Sequence, residues 1–185
     1  MAIGKLRGKK KWFTVLAPEI FKSKELVDIT AYEPKELAGR PVELNYAQLT
    51  EGPKDQYKKL ILKIVDTKGE KAVTVPWKFF VVESFIQRLA RKYGERVYQG
   101  TTFKSKDGRP VKVKFFILAT KKLNHSTRGD LLRAAHKTIT TFIADVNAYD
   151  MFLPENSEKL ADVLRDGMKK IYPVDKVLVW KISVV

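Results

Sequence analysis

The chain has 185 residues, and its 36 Lys and Arg outweigh 21 Asp and Glu to leave a formal net charge of +15. It contains no cysteine, which excludes disulfides, thiolate nucleophiles and cysteine-based metal sites. No apolar run approaches the roughly 18 residues that a membrane span needs, and no apolar stretch follows the basic N-terminus as a secretory signal requires, so the expectation is a cytoplasmic protein with no membrane partner.

The positive charge is segregated. Residues 1–24 hold seven Lys or Arg against one acid, and residues 95–140 hold eleven against three. These two stretches carry +6 and +8, or +14 of the +15, while 25–94 (+2) and 141–185 (−1) nearly balance. A surface evolved only for solubility intersperses both signs. Charge gathered this way makes a directional field that attracts a polyanion, and nucleic acid is the first reading.

Taken in order, residues 1–11 have little to bury and read as a flexible basic arm, leaving 12–185 as a single domain. Trp12 to Leu16 begins ordered structure as a strand ending at Pro18, and Leu26–Tyr32 and Val42–Leu49 are further strands, separated by Pro34 and the Gly39-Arg40-Pro41 turn. Tyr57–Val65 and Lys71–Val75 flank a hairpin loop at 66–70, with Leu60, Leu62 and Ile64 on an apolar face. From Phe79 the period changes. Phe79, Val82, Phe85, Ile86, Leu89 and Tyr93 recur at three- and four-residue steps, which predicts a helix over 79–93 stopped by Gly94.

Arg96–Lys104 and Val111–Thr120 form a hairpin around Asp107-Gly108. Val111, Val113, Phe115 and Ile117 face a core and Lys112 and Lys114 face away. Thr127-Arg128-Gly129-Asp130 resembles a capping box, and the stripe from Leu131 to Val146 makes a second helix with Arg133 and Lys137 opposite. A third helix follows Pro154, and Val177–Val185 is a final strand. The fold class is α+β, with a largely antiparallel, curled or barrel-like sheet and about three packed helices.

Catalytic and metal chemistry find little. His125 and His136 lie eleven residues apart with no second ligand at helical spacing, and there is no phosphate-binding glycine motif. Asp145, Asp150, Glu155 and Glu158 would be the carboxylates of a metal-dependent RNA-processing nuclease, the alternative reading, but their spacing has no pattern. No enzyme activity and no cofactor are expected. The basic clusters carry more. Lys5, Arg7, Lys9, Lys10 and Lys11 lead directly into Trp12 and Phe13, a pairing of ammonium groups with rings that suits RNA. Phe13 reads as a core anchor, and Trp12 is open between core and base stacking. Lys104, Lys106 and Arg109 concentrate cations at a turn tip. Lys112 and Lys114 extend the stripe to Lys121 and Lys122, and His125, in the basic loop, is open between donating to phosphate and standing as a solvated loop histidine.

The words Lys-Lys-Trp-Phe-Thr-Val-Leu-Ala-Pro-Glu-Ile-Phe (10–21), Leu-Ala-Gly-Arg-Pro-Val-Glu-Leu (37–44), Phe-Ile-Leu-Ala-Thr-Lys-Lys (116–122) with Asn124 and Arg128, and Ile-Tyr-Pro-Val-Asp-Lys-Val-Leu-Val-Trp-Lys-Ile (171–182) resemble, in order, segments of the archaeal and eukaryotic small-subunit ribosomal protein 3Ae family. The resemblance implies a structural component of the small ribosomal subunit with a β-rich core. It would bind ribosomal RNA on the platform near the messenger RNA exit, beside neighbouring ribosomal proteins and messenger RNA. The family's RNA-contacting segments map onto the arm before Trp12 and onto Lys121 to Lys137, which includes Arg128, Arg133 and Lys137. Residues 123–127 are less basic than that segment of the family. The long basic tail of eukaryotic members is missing, so the resemblance is to an archaeal-type member.

Overall fold

A computed structural model describes residues 9–50, 55–119 and 121–184, so Lys5 and Arg7 of the expected arm lie outside the described residues. Among these residues eight strands join in a mixed sheet that does not close on itself. Among the described residues four α-helices accompany it: α1 (Ala47–Thr50), α2 (Glu83–Ala90), α3 (His125–Asp145) and α4 (Pro154–Lys169). The class is α+β, as the element pattern predicts.

The chain divides into two compact units, and the long strands β4 (Lys58–Lys68) and β5 (Lys71–Val81) contribute to both. The first unit comprises residues 1–44 and 61–77. In it β1 (Lys11–Leu16) pairs antiparallel with β2 (Glu25–Ala31) and parallel with the start of β5, at Thr14↔Lys71 to Leu16↔Val73. β3 begins at Pro41 and is tied to β4 by the Gly39 amide on the Ile64 carbonyl and the Ile64 amide on the Arg40 carbonyl. Phe13, Val15, Leu37, Val42, Leu62 and Ile64 are buried, in keeping with strands whose apolar residues alternate toward one side.

The second unit comprises 45–60 and 78–185. Here β6 (Glu95–Lys104) and β7 (Pro110–Ala119) form a regular ten-pair antiparallel hairpin. Gly108, at φ 74°, supplies the left-handed position of its turn. β8 (Lys176–Val184) runs antiparallel to β7 and to the end of β5. Lys114 pairs with Lys181 while Phe115 pairs with Val179, so Trp180 is an extra residue on β8, a β-bulge.

Helices α3 and α4 pack on the face that carries Val97, Phe103, Val113, Phe115, Ile117, Val177, Val179 and Ile182, all buried. Leu131, Ala135, Ile139 and Ile143 recur every fourth residue on α3 and are fully buried. Tyr46 is buried against Phe79 in an edge-to-face contact at 5.3 Å, and its hydroxyl donates to the Phe152 carbonyl at 2.6 Å.

Four local expectations differ. Phe79 lies in β5, which runs to Val81, and the helix begins only at Glu83. The residues that mimic a helical stripe there are held in the sheet by Phe79↔Ile182 pairing and by Tyr46. That helix ends at Ala90, four residues before Gly94. The strand expected over 42–49 stops at Asn45, where Tyr46 turns into the core and α1 follows. Helix α3 starts at His125 with no side-chain cap, and Asp130 pairs with Arg133 instead of capping.

Candidate nucleic-acid interface

In the first unit Lys9, Lys10, Lys11 and Trp12 sit at the start of β1 and are exposed. Phe13 is 2% accessible and Trp12 67%, so alternation along β1 buries one ring and presents the other. The Lys10 ammonium lies 5.4 Å from the Tyr32 ring centroid.

In the second unit the hairpin tip is committed to its own fold. The Lys106 amide donates to the Val146 carbonyl and Asp107 accepts from the Ala148 amide at 3.3 Å. The Arg109 guanidinium stands 4.6 Å from the Tyr149 ring. Lys104, Lys106 and Arg109 remain exposed, but the turn is fastened to the segment after α3. Lys121 and Lys122 are exposed in the connection from β7 to α3, and His125, Arg128 and Lys137 are exposed on α3. Arg133 is exposed too, but it bonds Asp130 at 2.6 Å, so its charge is partly compensated.

The face of β5–β8 turned away from α3 and α4 collects what the sequence spreads over a hundred residues. Lys112 and Lys114 point there with Lys181, and Lys78 joins them opposite Ser183. Lys114 and Lys181 are direct cross-strand partners. Burial, then the neighbouring ammonium groups of Lys78, Lys114 and Lys112, push Lys181 below the ordinary lysine range.

Beside the lysines stand three rings in mutual contact. Tyr98 is 5.2 Å from Phe116 and 5.7 Å from Trp180, and Phe116 is 5.4 Å from Trp180. The Lys114 ammonium lies over two of them, 5.4 Å from Trp180 and 5.9 Å from Tyr98. Gly100 makes this possible. A Cβ there would come within 2.9 Å of the Lys114 Cγ, so the missing side chain is the bed in which the lysine stem lies.

No acid occurs in β5, β7 or β8, and the one acid of β6, Glu95, alternates to the other side and accepts from the Leu123 amide. Sequence reading found Lys112 and Lys114 but missed Lys78, Lys181, Tyr98, Phe116 and Trp180. The available signal was the absence of acids from three long strands.

The carboxylates of the nuclease alternative do not assemble. Asp150 accepts from Asn147, Glu155 pairs with Lys159 and Glu158 with Lys58. Among the described residues no three His, Asp or Glu side chains converge as a metal site. No helix among them is long and apolar enough to cross a membrane.

Fold and surface define a small, strongly basic α+β protein whose lysines gather on an acid-free sheet face. Residues 6–185 match the sequence profile of the Ribosomal S3Ae family, and the chain belongs to that family. It is 30% identical to the small ribosomal subunit protein eS1 of Archaeoglobus fulgidus, over 94% of this chain and 83% of the relative. It is 31% identical to the eS1 protein of Nanoarchaeum equitans, over 89% of this chain and 83% of the relative. The eS1 protein of Saccharolobus islandicus is 27% identical over 95% of this chain and 84% of its own length.

Proposed function

We propose that this chain is a structural component of the small ribosomal subunit in cytoplasmic ribosomes. It binds ribosomal RNA on the platform, near the messenger RNA exit, and touches neighbouring ribosomal proteins there. The observation that carries this reading is the coincidence of a family match along nearly the whole chain with cations segregated from acids. The chemistry is phosphate neutralisation by lysine and arginine, with orientation set by the shape of the folded RNA. Lys9, Lys10 and Lys11 on one unit and Lys112, Lys114, Lys121, Lys122, Arg128 and Lys137 on the other supply the phosphate contacts. Lys5 and Arg7 add charge at the N-terminus.

Two measurements test it. Native protein sedimenting in a gradient stays with small subunits in high salt. Binding to a fragment of small-subunit RNA weakens steeply with salt, with a log–log slope of roughly −4 to −7 for about 6–10 phosphate contacts at about −0.7 each. Release from subunits at moderate salt together with a slope near zero overturns the reading.

A further inference from the structure

We propose that the sheet face bearing Tyr98, Phe116 and Trp180 is a stacking site for unpaired nucleotides of single-stranded RNA, with Lys112, Lys114 and Lys181 holding the flanking phosphates. The proposal rests on the ribosomal RNA reading and adds to it a contact with bases, where that reading needs only phosphates and shape.

Three independent features point to a stacked base. The first is exposure. Tyr98 is 42% accessible, although Tyr, Phe and Trp in a sheet ordinarily turn to the buried side. The second is the bulge. A regular β8 would alternate Trp180 and Lys181 to opposite faces, whereas the extra residue brings both to one face, Lys181 paired with Lys114 and the Trp180 ring 5.4 Å from the Lys114 ammonium.

The third is the like-charge pair. Lys114 and Lys181 face each other directly across β7 and β8, an arrangement that costs stability in the free protein. Burial and the surrounding lysines already disfavour the charged form of Lys181. A phosphodiester placed between the two ammonium groups relieves that repulsion. Rings with lysines at their edge match a nucleotide, whose base is flat and apolar on its faces and whose phosphate is anionic. An acidic peptide would satisfy the lysines and leave the rings unexplained.

The test uses the full chain and two fluorescein-labelled probes, a short oligouridylate and a blunt RNA duplex, with titrations repeated at several salt concentrations. Base stacking contributes about 1–3 kcal/mol per base by alanine substitution, so Tyr98→Ala weakens oligouridylate binding by roughly 5- to 150-fold and leaves duplex binding and its salt slope unchanged. Tyr98→Phe keeps the ring and restores the affinity. Oligouridylate quenches tryptophan fluorescence, and Trp180→Phe removes most of that quench.

Equal losses on both probes, or no loss on oligouridylate, overturn the proposal. So does a poly-glutamate peptide that binds more tightly than oligouridylate and shares its sensitivity to Tyr98→Ala, which would make this a protein-docking face. Failure of the wider reading is distinguishable, because the chain would then bind neither probe. A duplex bound normally with Tyr98→Ala silent removes the stacking site alone.

Discussion

Replacing Lys181 with methionine removes one ammonium group and keeps an unbranched stem of similar length. In the folded protein Lys181 faces Lys114 directly across the strand pair and has Lys112 and Lys78 nearby. A like-charge pair in that position costs about 0.2–1 kcal/mol. Lys181→Met is therefore expected to raise stability by about that amount, or about 0.5–4 °C in Tm for a chain of this size. Salt gives the signature. The Debye length falls from about 10 Å at 0.1 M to about 3 Å at 1 M, so the gain shrinks in high salt.

The pH dependence has a definite sign. The folded-state pKa of Lys181 is lowered below its unfolded value, so between the two the unfolded chain binds more protons and stability rises with pH. The variant loses that rise. Thermal melts at low and high salt, with denaturant titrations across alkaline pH, measure all of this, and RNA affinity falls in the same variant. A variant less stable than the parent at low salt, or a gain independent of salt, would refute the account of this face as a store of like-charge repulsion.

Three further outcomes are expected. Lys121→Glu with Lys122→Glu, at exposed positions with no acid beside them in sequence, impairs RNA binding and subunit incorporation in pull-down and gradient assays; Lys169→Glu with Lys170→Glu does much less, since Lys169 already pairs with Asp166 at 2.6 Å. Tyr46→Phe deletes a buried hydrogen bond and lowers stability by about 1–3 kcal/mol in denaturant titrations without changing RNA affinity. Burial, then Asp55 and Glu158, raise the Tyr46 phenol above its ordinary range, so its contribution is intact below about pH 10 and is lost above it as the unfolded chain ionises; the phenylalanine variant lacks that alkaline loss in unfolding titrations.

Much of the fold was legible because single strands announce themselves. Leu60, Leu62 and Ile64 alternate and are fully buried, and Asp107-Gly108 marks the β6–β7 turn where the glycine adopts positive φ. Of the apolar stripe Leu160, Val163, Leu164, Met168 and Ile171 that the sequence offers after Pro154, Leu160, Leu164 and Met168 are buried as expected, whereas Val163 and Ile171 are exposed. What failed was local periodicity under tertiary control. Phe79 fits a helical stripe with Val82 and Ile86, yet strand pairing with Ile182 holds it in β5.

The candidate site was half legible for a related reason. Lys112 and Lys114 declare their face by alternation. That Lys78, Lys181 and Trp180 share it depends on which strands are neighbours and on a one-residue register shift, neither of which a local pattern encodes. Trp12 could not be assigned from composition, because a strand next to a basic segment turns either residue of a Trp-Phe pair inward. The structure buries Phe13.

The bulge on β8 has a consequence for how this chain tolerates change. Before it, Val177 and Val179 face the helices; after it, Ile182 and Val184 share their parity only because one position has been skipped. Excising Trp180 alone would leave Val177-Leu178-Val179-Lys181-Ile182-Ser183-Val184, a strand of unbroken in-and-out rhythm with every inward residue still inward. β8 thus contains one residue that its pairing with β7 does not require. Insertions in the middle of a strand usually scramble the facing of everything downstream. Here the frame is preserved on both sides, and the supernumerary position is filled by the bulkiest side chain available.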